Sequence, residues 1–171
     1  MTSPSAPPAR PASKTAADHS ARAALLRAAN INPRTGLATD YLNHFNEAVM
    51  LLEMIPDMPE CVEDFLTWKP LSYAEHFTAS NFKARDLAIE AYNRADTGTR
   101  TDFDNITSAI TSILSAVSDA MRKVQLDTTR TRLAQQATGW VKPLVMRAGG
   151  VINGEATNGN GAADVEYIMT H

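Results

Sequence analysis

The stretch GLATDYLNHFNEAVMLLEMI, residues 36–55, decides the fold. Its apolar residues Leu37, Ala38, Tyr41, Leu42, Phe45, Ala48, Val49, Leu52 and Ile55 recur three and four positions apart. That spacing lines one face of a helix turning every 3.6 residues, whereas a half-buried strand would alternate with period two. The stop is equally legible. Pro56 and Pro59 in IPDMPE cannot continue the helix, because proline has no N–H and its ring clashes with the preceding turn. Pro59 suits the first turn of a short following helix, with Val62, Phe65 and Leu66 inward.

Downstream, Trp68-Lys69-Pro70 breaks the chain and Ser72-Tyr73-Ala74-Glu75 reads as a capping box. In that motif the Ser hydroxyl and the Glu carboxylate each accept a hydrogen bond from an otherwise unpaired backbone N–H. The helix it opens carries a stripe of Tyr73, Phe77, Ala84, Leu87, Ala88 and Ala91, while Phe82 and Ile89, one heptad apart, point to the opposite side. A helix apolar on two faces either lies at the centre of a domain or meets a partner, which makes Phe82 and Ile89 candidate partner-binding residues.

After DTGTRTD, Thr101 is the expected cap of a helix with Phe103, Ile106, Ile110, Ile113, Val117, Ala120 and Val124 on one seam. Alternating spacings of three and four make that seam coiled-coil-like. Leu126, Leu133, Ala137, Trp140, Val141, Leu144 and Val145 mark a last helix, bent or ended near Gly139 and Pro143; an Ala-rich stretch over 15–30 is a first one. No strand pattern competes. The expected class is all-α, an antiparallel bundle of four to five helices with disordered N- and C-terminal tails.

The tails follow from composition. Pro4, Pro7, Pro8 and Pro11, mixed with Ser and Ala, assign residues 1–13 to a disordered segment and 14–147 to one helical domain. Residues 148–171, with five of the eight glycines, read as a flexible Gly/Asn-rich tail. Within it Val165, Tyr167, Ile168 and Met169 form a short apolar patch suited to docking in a groove, on this chain or another.

Several classes drop out. The single cysteine, Cys61, makes neither an intramolecular disulfide nor a Cys-ligated zinc framework. No apolar run reaches the roughly 18 residues of a membrane span, and the first residues lack the apolar middle of a signal peptide, so no membrane is expected and the expected compartment is a reducing cytoplasm. The net charge of -3 hides an uneven distribution. Residues 1–34 carry five bases against one acid, 40–64 carry seven acids and no Lys or Arg, and 122–147 carry six bases against Asp127. Such blocks are either solvated faces or a polar docking surface.

Chemistry-bearing residues are sparse. Of the four histidines, only His44 and His76 lie on well-patterned helices. With Glu47 and Glu90 they would form a set suited to Zn or Fe if their helices packed face to face. The order His44-x-x-Glu47 reverses the Glu-x-x-His of di-iron bundles, however, and HFTASNFK lacks the His-x-x-Lys-Gly pattern of histidine phosphotransfer. Cys61 sits among Glu60, Glu63 and Asp64, which raise a thiol pKa, so it reads as structural. There is no Gly-x-Ser-x-Gly and no phosphate loop. Residues 122–147, with Trp140 for stacking, are the one candidate nucleic-acid face, weakened by the acidic whole.

The reading is therefore a non-enzymatic interaction or regulatory module. It binds a protein partner or a second copy of itself through Phe82 and Ile89 or through the acidic 40–64 surface, and it carries no cofactor. The alternatives are a metal- or small-ligand-binding bundle using His44, Glu47, His76 and Glu90, and a weak nucleic-acid binder.

Overall fold

A computed structural model describes residues 12–155, and over that span the chain is all-helical. Seven α-helices follow one another there: α1 (Ala12–Ala28), α2 (Leu42–Met54), α3 (Cys61–Thr67), α4 (Tyr73–Ala79), α5 (Arg85–Asn93), α6 (Thr97–Lys123) and α7 (Asp127–Ile152). A 3-10 turn, Thr39–Tyr41, leads into α2. Among the described residues the sole β feature is an isolated antiparallel bridge between Ile31 and Ala38. No helix there is long and apolar enough to cross a membrane.

All nine residues of the stripe over 36–55 are buried. Leu37 and Ala38 lie ahead of the helix rather than in it, since Ala38 is extended and its N–H donates to the Tyr73 hydroxyl at 2.9 Å. α7 packs on α2 and runs antiparallel to it. At one end a Cβ on Gly149 would touch Leu42 at 3.7 Å, and at the other Lys142 Nζ meets Glu53 Oε1 at 2.7 Å. α6 lies along α7, and the Arg122 guanidinium ties α6 to α3 by donating to the Leu66 carbonyl at 2.9 Å. Phe45, Phe65, Phe77 and Phe103 are fully buried in this core, each worth about 1.5–3 kcal/mol of hydrophobic stabilisation.

Seven helices stand where four or five were expected, and one reason lies at Ser80. The single helix expected from Tyr73 to beyond Ala91 is two, because Ser80 takes extended geometry and its hydroxyl serves local backbone. Its Oγ donates to the Phe77 carbonyl and accepts from the Phe82 N–H at 3.3 and 3.4 Å. Serine and asparagine compete with helical hydrogen bonds in this way, and Ser80-Asn81 is such a pair. The capping box ahead of α4 forms as read, with Ser72 and Glu75 bonded reciprocally.

The α6 seam departs from its heptad reading. Phe103, Ile106, Ile110 and Val117 are buried, but Leu114 and Met121 replace Ile113 and Ala120 at the core. A straight helix drifts about 20° per heptad against a 3.5-residue repeat, so after one heptad the buried position moves on by a residue. The helix also starts earlier than Thr101, where Asp96 caps it by accepting from the Thr99 N–H at 3.0 Å. It ends at Val124, where Arg130 Nε and Nη2 donate to the Val124 and Met121 carbonyls at 2.9 and 3.0 Å.

α7 passes through both Gly139 and Pro143 and runs on to Ile152, so residues 148–152 are helix rather than tail. Ala148, Val151 and Ile152 are buried, and that packing outweighs the cost of two helical glycines. The helix ends on Gly154 at φ 77°, with the Glu155 and Gly154 N–H groups donating back to Gly150 and Val151. The same device closes α1. Asn30 is left-handed at φ 58°, and the Ile31 N–H returns to the Leu26 carbonyl at 2.8 Å. Of the segments read as disordered, residues 1–11 and 156–171 lie outside the described residues.

Candidate functional site

α2 and α4 bring His44 and His76 together, with ring centroids 5.9 Å apart. His44 is 6% exposed, a core residue rather than one at the border of the stripe. Its ring stacks on Trp68 at 4.6 Å and its Nε2 accepts the Leu71 N–H at 2.9 Å. Its carbonyl accepts from Trp68 Nε1 at 3.1 Å. Tyr41 completes the clasp, its hydroxyl donating to the Leu71 carbonyl at 2.7 Å. All these bonds hold the non-helical segment 68–72 against α2.

Burial, and then the charge of His76, pushes His44 down to about 4. It is accordingly neutral near pH 7, as an Nε2 that accepts a hydrogen bond must be. His76 is half-buried and faces Asp40, with Nε2 and Oδ2 2.9 Å apart. Tyr41 and Tyr73 are raised above the usual tyrosine range, chiefly by burial.

The remaining members of the expected metal set stand apart from this pair. Glu47 is exposed on α2. Glu90 is engaged by Arg22 of α1 and Arg94 of its own helix at 3.1 and 3.0 Å, which hold its carboxyl below the usual range. Among the described residues no three His, Cys, Asp or Glu side chains are grouped to hold a metal ion. Asp40 and Trp68, which sequence reasoning passed over, are the true neighbours of the histidines. Asp40 lies 36 residues from His76 and Trp68 24 residues from His44, so no local spacing reveals either contact.

Phe82 and Ile89 are both half-buried and pack against the core, so they do not form an exposed second face. Once the helix breaks at Ser80, Phe82 turns in to meet the Phe77 ring edge-on at 5.1 Å. Cys61 is buried, and burial followed by Glu60 and Asp64 raises its thiol, in keeping with a structural role. Of the six bases over 122–147, Arg122, Arg130 and Lys142 are bonded within the chain.

Two clefts flank the histidine cluster. One, of about 600 Å³, lies where the ends of α1 and α7 meet the start of α2, and is lined by Arg27, Asn30, Asn46, Phe82 and Asn153 among others. The other, of about 650 Å³, lies between residues 70–73 and α6 and is lined by hydroxyls, including those of Ser72, Tyr92, Thr107 and Ser112, with Asp104. Tyr92 donates to both oxygens of Asp104, at 2.7 and 2.8 Å, and burial together with that bond pushes the phenol up to about 12. No histidine, lysine or cysteine lines this second cleft, and its one carboxylate already accepts from Tyr92. Its hydroxyls thus lack the adjacent free base that activates a nucleophile.

No protein-family model, no curated protein and no solved structure matches this chain.

Proposed function

We propose that the chain is a non-enzymatic interaction module that docks a basic, apolar protein segment on the face built from α2, the turn after it and α3. The observation that carries this reading is the exposure of Met50 and Met146, 53% and 78%, on either side of the α2–α7 seam, with the exposed acids on the α2 side. Met50 lies one turn before Glu53 on α2, and Met146 one turn after Lys142 on α7. Because the helices are antiparallel and Glu53 pairs with Lys142, both methionines fall on the same side of that ion pair along the seam. Met58 is exposed further along, in the turn that follows α2.

Over α2, the turn after it and α3, Glu47, Asp57, Glu60, Glu63 and Asp64 are exposed and make no ion pair among the described residues. Methionine is unbranched and polarisable and adapts to varied apolar shapes, and an apolar centre with a charged rim is the usual anatomy of an interface. The rim selects a partner of opposite sign and speeds its encounter. Phe82 and Ile89 are half-buried against the core, so this reading rests on the acidic 40–64 surface rather than on those two residues.

The test is affinity capture from the native host with wild-type protein and with Met50→Lys/Met146→Lys, both solvent-facing changes that leave the core intact. The expected result is a stoichiometric protein companion that the double variant loses and that rising salt releases. A variant that keeps the same companion, or a wild type that captures none, refutes the reading. Sedimentation velocity over a range of concentrations decides whether the companion is a second copy, whose Lys123, Arg132 and Arg147 would bring the opposite charge.

A further inference from the structure

The cleft at the ends of α1 and α7 differs from the acidic face in every respect. Its rim is made of amides: the side chains of Asn30, Asn46 and Asn153 line it and form no hydrogen bond within the described residues. An Asn side chain carries one carbonyl acceptor and two N–H donors, the same groups as a peptide unit, so several together can pair with an extended backbone. One wall is apolar, with Phe82 half-buried in it. Arg27 stands exposed at the edge without an ion pair. The single acid in the lining, Asp40, is already engaged by His76 and by the Asn43 amide at 2.9 and 3.3 Å.

The chain also leaves α7 at this place. Asn153 is both a lining residue and the last position before the Gly154 turn, where Arg34 lies within 3.4 Å of the point a Cβ would occupy. Beyond Glu155, eight small or polar residues, ATNGNGAA, lead to Asp164-Val165-Glu166-Tyr167-Ile168-Met169. Nine peptide links extend up to about 30 Å, several times the width of a cleft of this volume. The hexapeptide mixes carboxylates with apolar side chains, and residues 148–171 contain no Lys or Arg to oppose Arg27.

We propose that the asparagine-lined cleft is a peptide-binding site and that its occupant is the chain's own segment 164–169. The segment lies in extended form, its backbone read by the Asn amides, an apolar side chain against Phe82 and a carboxylate on Arg27. Tethering places it at an effective concentration in the millimolar range, enough for a modest site to be filled from within the same molecule. A partner carrying a similar acidic and apolar sequence has to displace it, so the tail acts as a built-in competitor at this cleft. The inference is independent of the acidic face on α2 and α3.

The experiment uses full-length, isotope-labelled protein and two-dimensional NMR. Wild type is compared with Tyr167→Asp/Ile168→Asp, both changes lying in the segment itself. The expected result is shifted side-chain amide signals of Asn30, Asn46 and Asn153, together with a fall in the heteronuclear NOE of residues 164–169 to the values of a free chain. Arg27→Glu, an exposed charge reversal on α1, is expected to release the segment in the same way, and Asp164→Lys/Glu166→Lys in that background to restore it. Unchanged cleft amides in the tail variant, or free-chain NOE values for 164–169 in wild type, overturn the proposal. Signals that revert on dilution of wild type place a second copy's segment in the cleft and overturn the assignment to the same chain.

Discussion

Acidifying the solution from pH 7 to pH 5 should cost this protein stability through one side chain, His44. In the folded chain the ring is held neutral, with a pKa of about 4, because it is buried between Trp68 and Tyr41 and lies near His76. In the unfolded chain a histidine titrates near its ordinary value of 6.5. Between these values the unfolded chain binds a proton that the folded chain refuses. The stabilisation is therefore complete above about pH 6.5 and lost as pH falls toward 4. At about 1.36 kcal/mol per pKa unit the full loss is about 3 kcal/mol, of which about 2 kcal/mol falls between pH 7 and pH 5. That is a large part of the roughly 5–15 kcal/mol that holds a domain folded.

The assay is urea unfolding followed by circular dichroism at pH 7, 6 and 5, a range above the ordinary carboxylate values. The comparison protein is His44→Gln, whose amide oxygen can accept the Leu71 N–H but does not titrate. The variant should be less stable at pH 7, having lost the stack on Trp68, yet its stability should change less between pH 7 and pH 5, by about 2 kcal/mol. The other three histidines, His19, His76 and His171, are present in both proteins. Equal pH dependence in the two would show that His44 is not the group held neutral, and the argument from its burial would fail.

Three further outcomes can be checked by the same unfolding assay. Gly36 sits at φ 73° with the Ala91 carbonyl oxygen 2.8 Å from where a Cβ would be, so Gly36→Ala combines backbone strain with a clash against α5. It should destabilise by at least about 2 kcal/mol, and a neutral result would mean that the loop and α5 part easily. Gly139 is exposed in α7 with nothing within 4 Å of a Cβ, so Gly139→Ala should stabilise by about 0.5–1 kcal/mol; a loss of stability would mean that the helix around Pro143 depends on the glycine. Ser72→Ala removes the acceptor for the Glu75 N–H and should cost about 1 kcal/mol, with Ser72→Asp largely restoring it.

What could be read from the chain alone was set by neighbours a few residues apart. Helical periodicity placed Tyr41 through Ile55 in the core because residues three and four apart share a face wherever the helix ends up. Pro56 stopped α2 and Ser72 with Glu75 opened α4 because prolines and capping boxes act within one turn. Other features needed the packed molecule. The 3.5-residue seam on α6 slid to Leu114 and Met121 because a single helix is not supercoiled, and α7 ran through Gly149 and Gly150 because Val151 and Ile152 had a core to enter. Thr35, 117 residues away, donates to the Ile152 carbonyl at 2.6 Å and fastens that end.

The sites divide in the same way. His44 and His76 were visible as residue types, but a histidine in an amphipathic stripe can ligate, titrate or pack, and only Trp68, Leu71 and Asp40, brought from distant positions, decide among these. Phe82 looked like an exposed second face while its helix was taken as continuous. Two hydrogen bonds at Ser80 broke that helix and turned the ring inward. Periodicity is a property of one helix and can be read locally, whereas a cleft exists only where several helix ends meet, at distances no spacing along the chain encodes.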